Sequence, residues 1–180
     1  MRILQKETMA VFIDFQEKLL PHIHEGENIL QNCLRLIKGM QILSVPIIIT
    51  QQYTRGLGPT VPAIIQLIPE FKHIEKISFS CYEEVTFKEE IALMGKQNII
   101  LCGIESHVCV LQTCIDLLEV GLKPFVVEDC VSSRKSNDKK VAIERMRQEG
   151  ARITTMESLL FELTRCAGNE LFKRISEIVK

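Results

Sequence analysis

The chain has 180 residues, of which 46% are hydrophobic and 25% are charged, and its formal net charge is −1. This length and apolar content favour a single domain over residues 1–180 with a substantial core. A nearly neutral chain has no long-range field to attract nucleic acid or an anionic membrane, and its apolar runs are too short to cross a bilayer, so we expect a small-molecule partner.

The cysteines and the amino-terminal segment both give information about the cellular compartment of the protein. Seven cysteines are present, an odd number, and no pair has the Cys-x-x-Cys spacing of many zinc sites. A disulfide framework or a structural zinc site is therefore not expected. The amino-terminal segment lacks the apolar core of a signal peptide, which favours a cytoplasmic location.

Strands are predicted from short apolar runs rich in β-branched residues. Such runs occupy residues 9–15, 45–50, 98–102, 124–128 and 151–154, and residues 73–78 form a weaker sixth candidate. Between them, apolar residues recur at helical spacing, for example over residues 29–43 and 108–118. This alternation predicts an α/β fold in which a parallel sheet carries helices on both faces through right-handed crossovers.

Two segments outside the predicted strands bear on function. Residues 53–62 contain two glycines and two prolines, and we interpret them as an active-site loop rather than a domain boundary. Residues 169–180 have apolar residues at helical spacing. This last helix could pack either on the core or on a second subunit.

Polar residues at the ends of the predicted strands are the first candidates for a functional site, because open parallel sheets bind ligands beyond the carboxyl ends of their strands. Asp14 ends the first apolar run, Lys76 lies in the weaker sixth candidate, and Cys109 comes soon after residues 98–102. We place Cys109 in the first turn of a helix that begins near Ser106, where the helix dipole favours a thiolate. Asp14, Lys76 and Cys109 are the predicted catalytic set.

The three side chains supply complementary chemistry. An ammonium such as Lys76 would lower the pKa of the Cys109 thiol, and a carboxylate such as Asp14 could take its proton and later deliver it to a leaving group. Backbone N–H groups in the same turn could hold the oxyanion that forms when a thiolate attacks a carbonyl. Spacing alone leaves other interpretations open: Asp14 as a strand-end cap, Lys76 as a solvated charge and Cys109 as an ordinary helix-face cysteine.

Four segments together resemble the isochorismatase-like hydrolase family in their order and spacing. They are Val11-Phe-Ile-Asp14-Phe-Gln16, Lys76-Ile-Ser-Phe-Ser-Cys-Tyr82, Gly103-Ile-Glu-Ser-His-Val-Cys109-Val and Val127-Glu-Asp129-Cys-Val-Ser-Ser133. The resemblance covers nearly the whole chain and is greatest to the isochorismatase-domain-containing branch. It implies a three-layer αβα, Rossmann-like fold with a six-stranded parallel sheet in the order 3-2-1-4-5-6. It also implies an Asp-Lys-Cys triad at Asp14, Lys76 and Cys109.

Further details of the site follow from the same resemblance. Backbone N–H groups of Glu105 and Cys109 would form the oxyanion hole, shaped by a cis peptide bond between Ile104 and Glu105. Nicotinamidases of the family place an aspartate and two histidines after the second strand to bind a metal, whereas this chain has Thr50-Gln-Gln-Tyr53-Thr. The resemblance thus implies no catalytic metal and disfavours nicotinamidase activity. Isochorismatases proper tend to lack a cysteine at position 109, so cleavage of the isochorismate vinyl ether is disfavoured as well.

Other residues flank the predicted site or match family positions. Candidates for the substrate pocket are Phe15, Tyr53, Phe79, Tyr82 and His107. Aromatic side chains at strand ends often simply complete a core, so both roles remain open for them. We interpret Gln16 and Asp129, which match family positions, as residues that hold the surrounding loops.

The sequence therefore predicts a hydrolase without a cofactor that cleaves a small amide, carbamoyl or related carbonyl compound through a thioester at Cys109. Members of the family commonly form homo-oligomers, so the resemblance also implies a homo-oligomer. Two alternatives remain: a catalytically idle binding or scaffold protein that kept the fold, and a redox-sensing protein in which oxidation of Cys109 is the output. Neither the net charge nor a basic, aromatic stripe favours nucleic acid as a partner.

Overall fold

The strands lie in a single sheet in the computed structural model, which describes residues 2–180. They are β1 (Thr8–Ile13), β2 (Ile47–Gln52), β3 (Ile74–Lys76), β4 (Asn98–Ile104), β5 (Lys123–Ser132) and β6 (Arg152–Thr154). All neighbours in this six-stranded sheet of the described chain are parallel, in the order β3-β2-β1-β4-β5-β6. The predicted α/β class and strand order are confirmed.

Helices cover both faces of the sheet. They are α1 (Gly26–Ile42), α2 (Thr54–Leu57), α3 (Pro62–Ile65), α4 (Val85–Met94), α5 (Leu111–Glu119), α6 (Ser136–Glu149), α7 (Met156–Thr164) and α8 (Glu170–Val179). Buried residues of α1, α7 and α8 form one apolar core with the sheet, and those of α4, α5 and α6 form a second core on the opposite face. The three-layer αβα arrangement follows from this division. No described helix is long and apolar enough to cross a membrane.

The position of β1 between two helical layers explains why the strand has no polar face. Ala10 and Phe12 belong to the core beneath α1, whereas Met9, Val11 and Ile13 belong to the core beneath α4 and α5. Successive side chains of a strand point to opposite faces, so a strand covered on both sides has no exposed position. All seven residues of β4 are buried for the same reason. Continuous apolar runs thus predicted the central strands correctly.

Strand β3 is shorter than predicted, and β1 ends just before Asp14. β3 covers only Ile74–Lys76 of the predicted residues 73–78, because the chain then turns so that the Ser78 and Phe79 carbonyl groups meet the Lys76 ammonium. β1 ends at Ile13 because Asp14 has a φ of 57°, a left-handed conformation that interrupts an extended strand. Each of these strands therefore stops at a predicted catalytic residue.

Residues 53–62 and α8 both have defined places in the fold. The segment 53–62 contains α2 and the start of α3, and Thr60 pairs with Gln16 in an isolated antiparallel bridge. α8 packs on α1 and α7 of its own chain, with Ile175 fully buried. The apolar face of this last helix is thus used within the chain, which selects the first of the two predicted alternatives for it.

Candidate active site

Asp14, Lys76 and the turn that carries Cys109 all lie at the carboxyl edge of the sheet. Asp14 follows β1, Lys76 ends β3, and Cys109 lies in a π-helical turn, Ser106–Val110, that follows β4. Because β1 lies between β2 and β4, and β2 borders β3, these strand ends converge on one region. The Lys76 Nζ atom is 2.7 Å from Asp14 Oδ2, and both side chains are shielded from solvent. The charges of this pair also act on the Cys109 thiol.

Asp14 is held from two sides. The Thr50 hydroxyl donates a hydrogen bond to Asp14 Oδ1 at 2.8 Å, while Lys76 meets Oδ2. Burial raises the pKa of Asp14, although the positive charge of Lys76 and the hydrogen bonds from Lys76 and Thr50 oppose that rise. A carboxylate with a raised pKa binds a proton more readily than an exposed aspartate does, which suits a general base.

Lys76 is buried and surrounded by oxygen atoms. Besides Asp14, its Nζ atom has three partners, at 2.6 Å from Gln52 Oε1, 3.2 Å from the Ser78 carbonyl oxygen and 3.1 Å from the Phe79 carbonyl oxygen. Burial is the largest influence on Lys76 and would lower its pKa, but the negative charge of Asp14, the hydrogen bond to Asp14 and smaller effects of Cys109 and Cys81 together outweigh burial and raise it. An ammonium has three N–H donors, so the hydrogen-bonding capacity of Lys76 is filled. Its influence on Cys109 is therefore electrostatic.

Cys109 occupies the π-helical turn that begins at Ser106, and only 6% of its surface is exposed. Burial raises the pKa of the Cys109 thiol to about 12; the negative charge of Asp14 adds to this rise, and the positive charge of Lys76 opposes it. The predicted lowering of this pKa is therefore wrong. Lys76 has the expected sign, but the desolvation of a buried thiolate outweighs it. The resting thiol is protonated at neutral pH, so a nucleophilic role for Cys109 would require a base.

Glu105 connects β4 to the π-helical turn and is anchored through both its main chain and its side chain. The peptide bond between Ile104 and Glu105 is cis, as the resemblance implied. The Glu105 carbonyl oxygen accepts hydrogen bonds from the N–H groups of Val108 and Val110 at 3.1 and 3.3 Å. Its carboxylate accepts two more, from the backbone N–H and the Nε of Arg134 at 3.0 and 3.1 Å. The backbone that would supply the oxyanion donors is thus held in place.

Comparison with known proteins decides the family. The family model of the isochorismatase domain matches residues 8–158. The chain belongs to the isochorismatase family. It is 40% identical over 181 residues to isochorismatase domain-containing protein 2A of Mus musculus, an alignment that covers 99% of this chain and 85% of that relative.

Two solved structures are similar to this isochorismatase-family chain over nearly its whole length. A Caenorhabditis elegans protein described as MAR1 ribonuclease has a TM-score of 0.93 and 38% sequence identity, covering 99% of this chain and 92% of its own. YcaC from Pseudomonas aeruginosa, described with hexane-2,5-diol and covalent acrylamide, has a TM-score of 0.92 and 25% identity, covering 98% of this chain and 91% of its own. Both share the three-layer fold.

Among the predicted pocket residues of this isochorismatase domain, Tyr53 and Phe79 are the exposed ones next to Lys76. The Tyr53 N–H donates to the Lys76 carbonyl oxygen at 2.9 Å, and the Phe79 carbonyl oxygen accepts from Lys76 Nζ at 3.1 Å. Tyr53 is 49% exposed and Phe79 is 54% exposed. Phe15 is buried in the core beneath α1, and Tyr82 packs against the core on the opposite face. Tyr53 and Phe79 are therefore the more accessible candidates for substrate contact.

His107 contacts both the segment that leads into α6 and the first turn of α6 itself. Its Nδ1 atom lies 2.9 Å from Ser133 Oγ, and its Nε2 atom lies 4.0 Å from Asp138 Oδ2. The imidazole is 29% exposed. These contacts are those of a structural link between the π-helical turn and these two parts of the chain.

Gln16 and Asp129 each join segments that are distant in the sequence. The Gln16 side-chain amide donates to the carbonyl oxygens of Gln52 and Gly58 at 3.0 and 2.6 Å, and its oxygen accepts the Gln52 N–H at 2.7 Å. The Asp129 carboxylate accepts the N–H of Met156, the first residue of α7, at 2.8 Å. Gln16 thus joins β2 to residues 53–62, and Asp129 joins β5 to the start of α7, while their roles at the site stay predictions.

Three buried residues near the site were not singled out from the sequence. Thr50 binds Asp14, Gln52 binds Lys76, and Cys81 Sγ lies 3.9 Å from Thr50 Oγ1. A signal existed for two of them, because Thr50 and Gln52 are polar residues two positions apart at the end of an apolar strand and therefore share one face. Cys81 carries no such signal in the sequence.

The end of β2 positions the site and its loop. The side-chain oxygen of Gln51 accepts hydrogen bonds from the Thr60 N–H and hydroxyl at 2.9 and 2.8 Å, which attaches the loop to the sheet. The Gln52 side chain instead accepts from Lys76 and donates to the Ile77 carbonyl oxygen at 2.7 Å. Within residues 2–180, no group of three or more His, Cys, Asp or Glu side chains is arranged to hold a metal ion.

Proposed function

We propose that this isochorismatase-family protein is a cysteine hydrolase that cleaves a small amide, carbamoyl or related carbonyl compound. Cys109 is the nucleophile, Asp14 carries the proton, and Lys76 is the cation of the site. The observation that carries the proposal is the buried ion pair of Lys76 and Asp14, 2.7 Å apart, whose charges act on the Cys109 thiol. Burying two ions is costly, and strongly perturbed ionisable groups concentrate at functional sites.

Acylation begins with a proton transfer. Asp14 takes the Cys109 proton, and the thiolate sulfur attacks the substrate carbonyl carbon to form a C–S bond. The N–H groups of Glu105 and Cys109 stabilise the negative charge that develops on the carbonyl oxygen. Asp14 then delivers the proton to the leaving nitrogen, the C–N bond breaks, and an amine or ammonia departs from a thioester at Cys109.

Deacylation repeats these steps with water. A water molecule attacks the thioester carbonyl carbon while Asp14 accepts one of its protons. The tetrahedral intermediate collapses with cleavage of the C–S bond, and the proton passes from Asp14 to the Cys109 sulfur. The acid product departs and the thiol is regenerated, so the cycle uses no cofactor. Lys76 stays cationic because the oxygen atoms around it favour the ammonium.

A related protein supports a reactive nucleophile in this fold. YcaC from Pseudomonas aeruginosa, 25% identical to this chain, is described with covalent acrylamide. Acrylamide is an electrophile that typically captures a nucleophile at its alkene carbon and keeps its amide group, so the description supports a nucleophile that a small molecule can reach. In this chain, Cys109 is our candidate for that nucleophile.

The proposal includes a cytoplasmic location and assembly with further copies of the same chain. All seven cysteines within the described residues are free, and six of them are buried, which is typical of proteins from a reducing compartment. Exposed apolar residues near the site, among them Ile77, Phe79 and Val85, offer surface to a second copy. Light scattering tests the assembly: a monomer at micromolar concentration would contradict it.

RNA cleavage is a second candidate, because the Caenorhabditis elegans relative at 38% identity is described as a ribonuclease. A phosphodiester carries a negative charge that a free cation would have to meet. Lys76 is buried and is already engaged by Asp14 and Gln52, so the site favours a neutral carbonyl group. Incubation with mixed RNA tests this alternative directly. RNA cleavage that the wild type shows and Cys109→Ser lacks would favour ribonuclease activity over amide hydrolysis.

The experiment that tests the proposal is a screen of small amides and carbamoyl compounds for release of the amine or ammonia. We expect turnover that Cys109→Ser abolishes and that Cys114→Ala leaves unchanged, since Cys114 is a buried thiol further along the same helical segment. Mass spectrometry of the quenched reaction should show the acyl group on the Cys109 peptide. Turnover that survives in Cys109→Ser would contradict the proposal. Reversible oxidation of Cys109 without any turnover would favour the redox-sensing alternative.

A further inference from the structure

The two carboxylate oxygens of Asp14 have different partners. Oδ2 lies 2.7 Å from Lys76 Nζ, and Oδ1 accepts the Thr50 hydroxyl at 2.8 Å. An ionised carboxylate can only accept hydrogen bonds, so the Thr50 hydroxyl hydrogen must point at Asp14. Both Asp14 and Thr50 are completely buried, so bulk water does not compete for this bond.

We propose that Thr50 is a positioning residue, which holds the Asp14 carboxylate in the orientation needed for proton transfer with Cys109. This rests on the proposed function, because it takes Asp14 as the proton carrier. Among residues 2–180, the Thr50 side chain has hydrogen-bond contacts with Asp14 and Cys81. Thr50 therefore acts through Asp14.

The orientation of Thr50 is itself determined by its neighbours. Thr50 lies in β2, in register with Ile13 of β1 and Ile74 of β3, and its carbonyl oxygen accepts the Asp14 N–H at 3.3 Å. The Cys81 sulfur, 3.9 Å from Thr50 Oγ1, donates to the hydroxyl oxygen while the hydroxyl donates to Asp14. Burial raises the pKa of Cys81 to about 12, so this thiol remains a protonated donor. The hydrogen bonds thus run in one direction, from Cys81 to Thr50 to Asp14.

The expected effect of removing the Thr50 hydroxyl has a definite sign. The ionisable groups around Asp14 are Lys76 at the end of β3, Cys109 in the π-helical turn, and Cys81 in the segment between β3 and α4. Burial raises the pKa of Asp14, whereas Lys76 and the Thr50 hydrogen bond lower it. Loss of that bond should raise the pKa further, so that Asp14 becomes protonated at a higher pH. Removal of the Cys109 proton needs ionised Asp14. As the pH falls, this step should therefore be lost at a higher pH in a variant without the Thr50 hydroxyl than in the wild type.

The experiment measures how fast iodoacetamide alkylates Cys109 as a function of pH, read by peptide mass spectrometry. Thr50→Val keeps the shape of the side chain but removes the donor, and Thr50→Ser keeps the donor. In Thr50→Val we expect the acid limb of the profile to move upward by about one pH unit, with a roughly tenfold slower reaction below it. The Thr50→Ser profile should match the wild type.

The outcomes separate this inference from the proposed function. Circular dichroism establishes that each variant is folded, and Thr50→Ala serves as a second donor-free variant. If Cys109 is the fast thiol in the wild type but the acid limb is unchanged in the folded donor-free variants, Thr50 has no positioning role and the proposed function stands. If wild-type Cys109 reacts no faster than Cys114, the proposed function fails and the role of Thr50 fails with it.

Discussion

The Lys76 ammonium and the Asp14 carboxylate lie 2.7 Å apart, and the side chains of both residues are shielded from solvent. β2 separates the strands that lead to these two residues, so the ion pair joins strand ends that are not neighbours. A buried ion without a partner is far less stable than a buried pair, because its desolvation is uncompensated. Removing one member should therefore affect the stability of the whole carboxyl edge.

Lys76→Met should destabilise the protein by about 3–5 kcal/mol, because it leaves the Asp14 carboxylate buried and unpaired. Asp14→Asn should be destabilising for the converse reason. In the double variant no charge is left unpaired, so its loss should be smaller than the sum of the two single losses. Urea unfolding of the four proteins measures this coupling. Simple additivity would show that the two side chains do not stabilise each other.

Gln52→Leu should slow the alkylation of Cys109 by roughly threefold to tenfold. The substitution removes the side-chain oxygen that lies 2.6 Å from Lys76 Nζ, so Lys76 is held less firmly. The positive charge of Lys76 opposes the rise in the pKa of the Cys109 thiol, and a less firmly held Lys76 should oppose that rise less. Gln51→Leu is the matched control, since the Gln51 side chain binds Thr60 and Thr54 instead. The control should make residues 53–62 more sensitive to proteolysis without slowing Cys109. Equal rates in the two variants would argue against a role for Gln52.

Glu84→Gln should change stability in a pH-dependent way. The Glu84 carboxylate accepts the N–H groups of Ile77 and Ser78, both at 3.1 Å, directly after Lys76. Slight burial would raise the pKa of Glu84, but the hydrogen bonds from these N–H groups outweigh it and lower the pKa. The stability due to ionised Glu84 is thus present above the unfolded pKa of about 4.3 and is lost as pH falls through the lower folded value.

Thermal unfolding at several pH values checks this expectation for Glu84. The wild type should have the higher Tm at pH 7, and the difference from Glu84→Gln should shrink as the solution is acidified. Glu83→Gln, at the exposed neighbouring position, is the control and should show little effect at any pH. A difference in Tm between the wild type and Glu84→Gln that stays constant down to pH 3 would mean that the charge of Glu84 is not responsible.

Gly103→Ala should destabilise the protein by at least about 2 kcal/mol. Gly103 has a φ of 150°, and a Cβ atom there would lie 2.5 Å from both the Cβ and the carbonyl oxygen of Ile13. The clash falls on the residue before Asp14, so slower alkylation of Cys109 is expected as well. Gly95→Ala is the control: Gly95 also has a positive φ, of 60°, but a Cβ there would have no neighbour within 4 Å. Equal losses of stability in the two variants would show that close packing of β4 on β1 is unimportant for stability.

Much of the architecture was predictable because it depends on local patterns. Runs such as residues 99–102 are apolar at every position, and a strand has this pattern when helices cover both of its faces. The alternation of such runs with helical spacing then implies a parallel sheet. The ends of β1 and β3 were placed less well. They depend on the turn at Asp14 and on the carbonyl groups that surround Lys76.

The sequence by itself determined the layered fold and indicated Asp14, Lys76 and Cys109 as candidates, because strand patterns and motif residues can be identified within short stretches of the chain. Only the tertiary structure decided the direction of the Cys109 pKa shift, since burial depends on elements that are distant along the chain. It alone also showed that Thr50 and Gln52 hold Asp14 and Lys76. Hydrogen-bond partners on neighbouring parallel strands are separated by long crossovers in the sequence, so no local pattern records which side chains will meet.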